Sequence, residues 1–433
     1  MSTASFLLQR VLLADGVRVD VEVDNHCISR IGSELQSPFP LIDGSEGLLL
    51  PGLVDLHTHL REPGKESSET VLSGSQAAVK GGYTALSAMA NTSPVADSAG
   101  VVEQVARLGK EAGLCDVFPI GAVTAGLKGE TLAELSAMAQ SAAKVRIFSD
   151  DGHCVSDPLL MRRALEYVKT FGGVIAQHAQ DPILTVGAQM NEGAVSSRLG
   201  LQGWPAIAEE AIIARDILMA NYVGGRLHIC HLTTKGGVEL IRWAKGQGFE
   251  VTAEVTPHHL LLTDAMAENF DPTYKVNPPL RSQSDVLALR AGLADGTIDV
   301  VATDHAPHSS EDKDCEWNAA AFGMVGLETA LSVVVETMID TGLMDWKALV
   351  SRMSTTPAAI GGYKDHGSME IGSLANFIVV EPEERWKVDR NKLFSRSSNT
   401  PFHNLSLPAV VRHTFFRGVH VLKNGQLTGM KYE

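Results

Sequence analysis

Four histidines and two aspartates occupy positions from which a divalent metal ion could be gripped from several directions. His57 and His59 close the apolar run LLLPGLVDLHTHL, Asp151 ends VRIFSDD, His178 ends VIAQH, His231 ends RLHICH and Asp304 ends DVVATD. Two histidines one residue apart on a strand face the same side, because strand side chains alternate with period two. His57 and His59 can therefore hold one ion together. Imidazole and carboxylate donors without thiolate suit zinc, and manganese or cobalt fit the same donors. So many protein ligands exceed the roughly three that hold one catalytic zinc, which points to a binuclear site. In that arrangement Asp151 bridges two ions, with His57, His59 and Asp304 on one and His178 and His231 on the other. Asp150 is the alternative bridge.

Side chains from separate strands converge only if the strands lie side by side, and a barrel gathers all their C-terminal ends around one rim. Eight strand-like runs fall near residues 48–56, 83–90, 116–123, 145–150, 174–179, 226–232, 251–256 and 298–305, each followed by helical or loop sequence. Eight parallel strands with crossovers predict an α/β fold, a (β/α)8 TIM-type barrel, over residues 51–364. Residues 1–50 alternate apolar and polar in short stretches, and the same texture returns over 365–433, where Asn424-Gly425 suits a tight hairpin turn. The two ends are expected to pair into one small β-sandwich-like domain. A helix is expected over about 130–143, with Leu132, Leu135, Met138, Ala139 and Ala142 on one stripe, and the first helix is expected to end at Gly81-Gly82. The longest irregular segments, DPTYKVNPPLRS and APHSSEDKDCEWNAAAFGMVG, follow the last two strands, where barrels place binding loops.

Composition narrows the function class. With 44% hydrophobic residues and a mean hydropathy near zero, the chain has ample apolar material for a large core. A net charge of −15 argues against nucleic-acid binding, which needs a basic stripe. The apolar stretch before Arg10 is too short for a signal-peptide core, and no run is long enough for a transmembrane helix, so neither membrane insertion nor export is expected and cytoplasmic residence is the default. Five widely spaced cysteines without a CxxC pair exclude a disulfide framework as the expectation. Among the other histidines, His228 lies an odd number of residues from His231 and should face outward, while His258, His259 and His305 could orient the ligands by hydrogen bonds.

The motifs PGLVDLHTHLREPG, MANTSP, FSDDG, AQHA, HICHLTT, VTPHHL, KVNPPLR, TDHAPHSSEDK and FGMVGLET, in this order, resemble the amidohydrolase superfamily and, within it, the bacterial class I dihydroorotases. The resemblance covers essentially the whole chain. It implies zinc, two ions per subunit, and reversible hydrolysis of dihydroorotate to N-carbamoyl-L-aspartate, with Asp304 moving the proton between water and the ring nitrogen. The related hydantoinases, dihydropyrimidinases and allantoinases bridge their metals with a carboxylated lysine, whereas here Lys144 only opens the fourth strand. One departure from the family lies in NTPFHNLSLPAV, where Asn404 and Ala409 stand at glycine places and put the local turns in doubt.

Dihydroorotate carries a carboxylate that dihydrouracil and hydantoin lack. Arg61 extends from the strand end that carries His57 and His59, and a guanidinium pairs with a carboxylate through two parallel hydrogen bonds. The resemblance adds Asn91 and His308 to that pocket, sets Asn277 and the backbone at Phe322 and Gly323 against the pyrimidine ring, and brings His59 to the substrate as well as the metal. It also suits a homodimer, or a complex with aspartate carbamoyltransferase. Two rival readings are another cyclic amidase on the same scaffold and a catalytically silent relative serving as a scaffold.

Overall fold

The computed structural model describes residues 4–432, and a ring of eight parallel strands lies at its centre. They are β1 (Leu53–Thr58), β2 (Tyr83–Ala88), β3 (Asp116–Pro119), β4 (Ile147–Phe148), β5 (Val174–Gln177), β6 (Arg226–Ile229), β7 (Val251–Val255) and β8 (Val300–Val301). Ladders join β1 to β3 in one arc and β4 to β8 in another. Two single bridges close the ring, Gly121 to Phe148 and Thr58 to His305. Val54, Leu56, Ala85, Ile147, Val174, Ala176 and Val300 fill the interior, while Leu53, Leu86, Phe148, Ile175, Leu227 and Val251 pack outward. Burial on both faces is why these strands read as continuous apolar runs.

Each strand is followed by a helix: α1 (Val71–Lys80), α2 (Ala99–Ala112), α3 (Leu135–Gln140), α4 (Pro158–Lys169), α5 (Ile207–Val223), α6 (Lys235–Gly246), α7 (Gln283–Asp295) and α8 (Ala330–Val334), the last continuing as a π-helical turn through Ile339. Side chains of Thr70, Asp157, Thr234 and Ser282 accept from amides of the first turns they precede, satisfying donors with no partner inside the helix. The first helix ends at Gly81-Gly82, as its sequence predicts. The helix expected over 130–143 is shorter. Ala125 and Ala133 amides bond to Thr131 and Val123 carbonyls, an extended pairing that delays the helix to Leu135 and leaves Ala142 exposed.

The expected first strand, 48–56, is two strands divided at Gly52. Leu48–Pro51 pairs antiparallel with Phe377–Glu381, and only Leu53–Thr58 joins the barrel. A Cβ on Gly52 would lie 2.3 Å from Thr84 Oγ1, so the crossing between the two sheets requires glycine. Leu48–Pro51 belongs to one nine-stranded sheet built from both ends of the chain. Phe6 and Phe415 stand three strands apart in that sheet, about 14 Å if it were flat, yet their rings stack at 4.9 Å. The sheet therefore curls over its own core of Leu8, Val21, Ile28, Leu49, Phe377 and Val379. The hairpin turn at Asn424-Gly425 has φ of 48° and 73°, the left-handed pair that a two-residue turn needs. Asn404 and Ala409, at the family's glycine places, also adopt positive φ, 69° and 63°; the turns keep the glycine conformation without glycine.

Candidate metal centre and substrate cavity

All six candidate ligands are buried at the C-terminal ends of barrel strands. His57 lies in β1 with His59 just beyond it, and Asp151, His178, His231 and Asp304 follow β4, β5, β6 and β8 within three residues. The Asp151 carboxylate is central: Oδ1 lies 3.4 Å from His57 Nε2, 3.2 Å from His178 Nδ1 and 3.1 Å from His231 Nε2, and Oδ2 lies 3.3 Å from His59 Nε2. Asp304 Oδ1 faces His59 Nε2 at 3.0 Å and His57 Nε2 at 3.5 Å. Two clusters thus share Asp151, one with His57 and His59 and one with His178 and His231. A third set, His57 with Cys230 and Glu254, involves a thiol whose pKa burial pushes well up.

The rear nitrogen of three imidazoles is committed. His57 Nδ1 faces Glu254 Oε1 at 2.6 Å, His59 Nδ1 faces Asn91 Oδ1 at 2.9 Å, and His178 Nε2 faces Gln180 Oε1 at 2.7 Å. These oxygens accept, so each ring donates outward and turns a bare nitrogen toward the carboxylates. His57 Nε2 is buried without a hydrogen-bond partner, and His178 Nδ1 and His231 Nε2 face each other at 2.9 Å. Nitrogen lone pairs pointed at one another and at two carboxylates need a cation between them, and the donor set fits a divalent metal. The same demand for positive charge acts on His57: against the opposing effect of burial, Asp151 and Glu254 favour a bound cation or a proton and hold the pKa well above the usual range. Burial likewise opposes charge on Asp304, yet His59 and His57 lower its pKa to about 2, so it stands as a carboxylate.

The rim backbone is unusual. Arg61, His231 and Asp304 have φ of 63°, 31° and 45°, a region that costs a residue with a Cβ about 1 kcal/mol or more. Such turns just past β1, β6 and β8 let the chain leave the ladder and aim these side chains across the rim. They also break strand parity. His228, expected to face outward, is buried and bonds to Glu254 Oε2 at 3.0 Å and Thr252 Oγ1 at 2.8 Å, because β6 ends at Ile229 and alternation cannot be counted through to His231.

Asp150 turns away from the cluster. It accepts from the amides of Val123 and Thr124 at 2.8 and 2.9 Å and from the Thr124 hydroxyl. Lys144 is exposed. The side chains of His258, His259 and His305 make no hydrogen bond to the candidate ligands among the described residues: His259 bonds to Thr256 and the Pro278 carbonyl, the His305 ring bonds to Glu69, and His258 Nε2 has no partner there. Glu254, Asn91 and Gln180 make those bonds. Of these, sequence reasoning missed Glu254 and Gln180. Glu254 is the one charged residue in the mostly apolar strand VTAEV, and that was a readable signal. Asp55 was missed too; it accepts from the amides of His57 and Thr303, and so ties β1 to β8, while burial raises its pKa to about 7.

The cluster opens into a cavity of about 260 Å³ lined by His59, Arg61, Asn91, Asp151, Gly152, His178, Asn277, Asp304, Ala306, His308, Phe322 and Gly323. No lysine lines it among the described residues. Arg61 is 8% exposed, and burial draws its pKa down to about 10. Its Nε donates to the Pro307 carbonyl at 3.0 Å, and among the described residues no carboxylate lies within ion-pair distance of it. Glu62 and Glu66, its acidic neighbours in sequence, accept instead from the amides of Val71 and Gly64. His308 Nε2 donates to the Phe322 carbonyl at 2.8 Å. Burial and Arg61 hold His308 neutral, lowering its pKa to about 3. Arg61 Nη2, 3.4 Å from that protonated nitrogen, keeps its hydrogens for another acceptor. Asn277 Nδ2 donates to Gln180, and its Oδ1 is buried without a partner. Gly323 has φ of 149°, and a Cβ there would lie 2.7 Å from His308 Nε2. Its amide bonds to the Lys275 carbonyl, and the carbonyls of Phe322 and Gly323 accept from His308 Nε2 and Asn399 Nδ2.

The family model described as Dihydro-orotase-like matches residues 46–237. A dihydroorotase of Streptomyces coelicolor is 61% identical over 424 residues, covering 98% of this chain and 99% of that protein. One of Mycobacterium tuberculosis is 54% identical over 416 residues, covering 95% and 97%. In fold the chain is similar to an L-hydantoinase from Arthrobacter aurescens, with a TM-score of 0.87 at 24% identity over 98% of this chain and 97% of that one. It is also similar to a dihydropyrimidinase from Brevibacillus agri, with a TM-score of 0.84 at 21% identity over 99% and 97%. Identity of this extent over nearly the full length, on a barrel with a metal-type cluster at its rim, means that the chain belongs to the dihydroorotase family.

Proposed function

We propose that the protein is a zinc-dependent dihydroorotase, interconverting dihydroorotate and N-carbamoyl-L-aspartate in pyrimidine synthesis. One observation carries the choice of substrate: Arg61 is a buried guanidinium without a carboxylate partner among the described residues, on the wall of the cavity into which the ligand cluster opens. An anionic ring substituent supplies the missing charge.

His57, His59 and Asp304 would hold one zinc ion and His178 and His231 a second, with Asp151 bridging. The ions, when bound, supply a water nucleophile available at neutral pH and polarise the scissile carbonyl. The chain's own residues do the rest. Arg61 takes the substrate carboxylate in a bidentate pair, with Asn91 and His308 beside it. Asn277 Oδ1 accepts from a ring N–H, and His59 borders both metal and substrate. Asp304 accepts a proton from the attacking water and returns it to the ring nitrogen as the C–N bond breaks; in ring closure the transfer reverses.

Arg61 and the exposed position of Lys144 count against a hydantoinase-type amidase, and retention of all six ligands counts against a silent scaffold. The reading extends to a composite small domain of 1–50 and 365–433 beside a catalytic barrel of 51–364. It also extends to a cytoplasmic homodimer, with aspartate carbamoyltransferase as a candidate partner, on the family resemblance alone. The deciding experiment compares turnover of dihydroorotate and dihydrouracil by zinc-reconstituted protein. Selective hydrolysis of dihydroorotate is expected; preference for dihydrouracil, or no activity on either with metal bound, would overturn the reading.

A further inference from the structure

We infer that Asn399 is a positioning residue for the anion end of the cavity, clamping from the C-terminal segment the backbone that carries His308 and Gly323 toward Arg61. Asn399 is 6% exposed, and every polar group of its side chain is used. Its Oδ1 accepts from the His308 amide at 3.2 Å, and its Nδ2 donates to the carbonyls of Ala306 at 3.0 Å and Gly323 at 3.1 Å. Its own carbonyl accepts from the Val325 amide at 3.2 Å.

The clamp brackets a single residue. Ala306 and His308 flank Pro307, and the Pro307 carbonyl is the acceptor that holds Arg61 Nε at 3.0 Å. The third contact, at Gly323, fixes the far end of the same loop, where the Phe322 carbonyl accepts from His308 Nε2. One side chain therefore sets the backbone that orients both the guanidinium and the imidazole.

The segment carrying Asn399 is anchored on the other side as well. Phe394 and Ser395 amides donate to Glu328 Oε1 at 2.8 and 3.1 Å, the Arg396 amide donates to Glu69 Oε1 at 3.1 Å, and Ser397 Oγ donates to the Ser68 carbonyl at 2.7 Å. Ser68 and Glu69 belong to the loop after β1 that holds Arg61, where the Lys65 amide bonds to the Arg61 carbonyl. Residues 394–399 thus bridge the loop bearing Arg61 and the loop bearing His308, and the spacing between those two groups depends on a part of the chain remote from both in sequence. Asn399 does not line the cavity, so its effect passes through the residues it holds.

The inference rests on dihydroorotate as substrate, and steady-state kinetics of zinc-loaded protein test it. Asn399→Ala removes all three side-chain contacts. Asn399→Asp keeps the acceptor for His308 but turns an oxygen toward two carbonyls. Each is expected to raise KM for dihydroorotate on the order of tenfold, with kcat within about threefold and metal content unchanged. Placed on Arg61→Met, the same substitutions should add less than about twofold, because the contact that Asn399 positions is already gone; residues in one network are non-additive. A full tenfold effect in the Arg61→Met background, a fall in kcat at constant KM, or failure of both variants to fold would assign Asn399 to general structure and overturn the inference. Wild-type protein inert toward dihydroorotate would overturn the substrate reading and this inference together. Active wild type with unaltered variants would overturn this inference alone.

Discussion

The two ends of the cavity follow opposite charge logic. At one end four imidazoles and two carboxylates converge, with nitrogen–oxygen separations of 3.0 to 3.5 Å, and the group they call for is a cation. At the other, Arg61 stands beside a neutral His308, and the unfilled requirement is an anion. The supports differ too. The metal end sits on or within three residues of strand ends, backed by buried acceptors such as Glu254. The anion end sits on loops, held by contacts to backbone carbonyls. On the proposed function, the first arrangement makes the reaction possible and the second selects what reacts.

That contrast is broken most severely at Asp304. Asp304→Asn is expected to lower kcat by about a thousandfold or more, since it removes the group proposed to move the proton and a charge from the cluster; near-normal turnover would remove Asp304 from that role. At the other end, Arg61→Met should leave bound metal unchanged and raise KM for dihydroorotate roughly a hundredfold, the scale of a charged, bidentate hydrogen-bond pair. Equal damage to metal content would show that the two ends are not separable. A smaller effect is expected behind the ligands. Glu254→Gln keeps an acceptor for His57 Nδ1 but loses the charge it shares with His228, and should weaken metal retention about tenfold in a chelator titration. Retention equal to wild type would mean that His57 does not depend on Glu254 for its orientation.

The same contrast explains what the sequence disclosed. The placement of the candidate ligands at strand ends was legible because hydrophobic runs mark the strands and the histidines punctuate them. The barrel followed from the same runs, although a single run at 48–56 concealed two strands, since one continuous apolar stretch serves two sheets. Parity failed for His228 because the chain leaves the ladder before His231, a backbone event that no side-chain pattern reports. Asn399 was illegible for another reason: its contacts to Ala306 and His308 span more than ninety positions of sequence, and an asparagine in a loop gives no sign of what folds against it. Glu254 lay between, visible as a charge in an apolar strand but without an indication of its partner.

The smallest expected effect separates this chain from the proteins whose fold it shares. In hydantoinase-type enzymes a carboxylated lysine would have to reach the rim, whereas Lys144 is exposed with Nζ 3.4 Å from the Gln140 carbonyl. Asp151, not Lys144, occupies the centre of the cluster. Lys144→Arg keeps the positive charge and removes the amine that carbon dioxide could carboxylate, so it tests the bridge with little disturbance to the surface. Metal content and kcat should stay within about twofold of wild type, as exposed substitutions away from packed features usually change little. Loss of one metal equivalent in Lys144→Arg would mean that the lysine reaches the cluster in solution. The division between a carboxylate-bridged metal end and a loop-built anion end would then need redrawing.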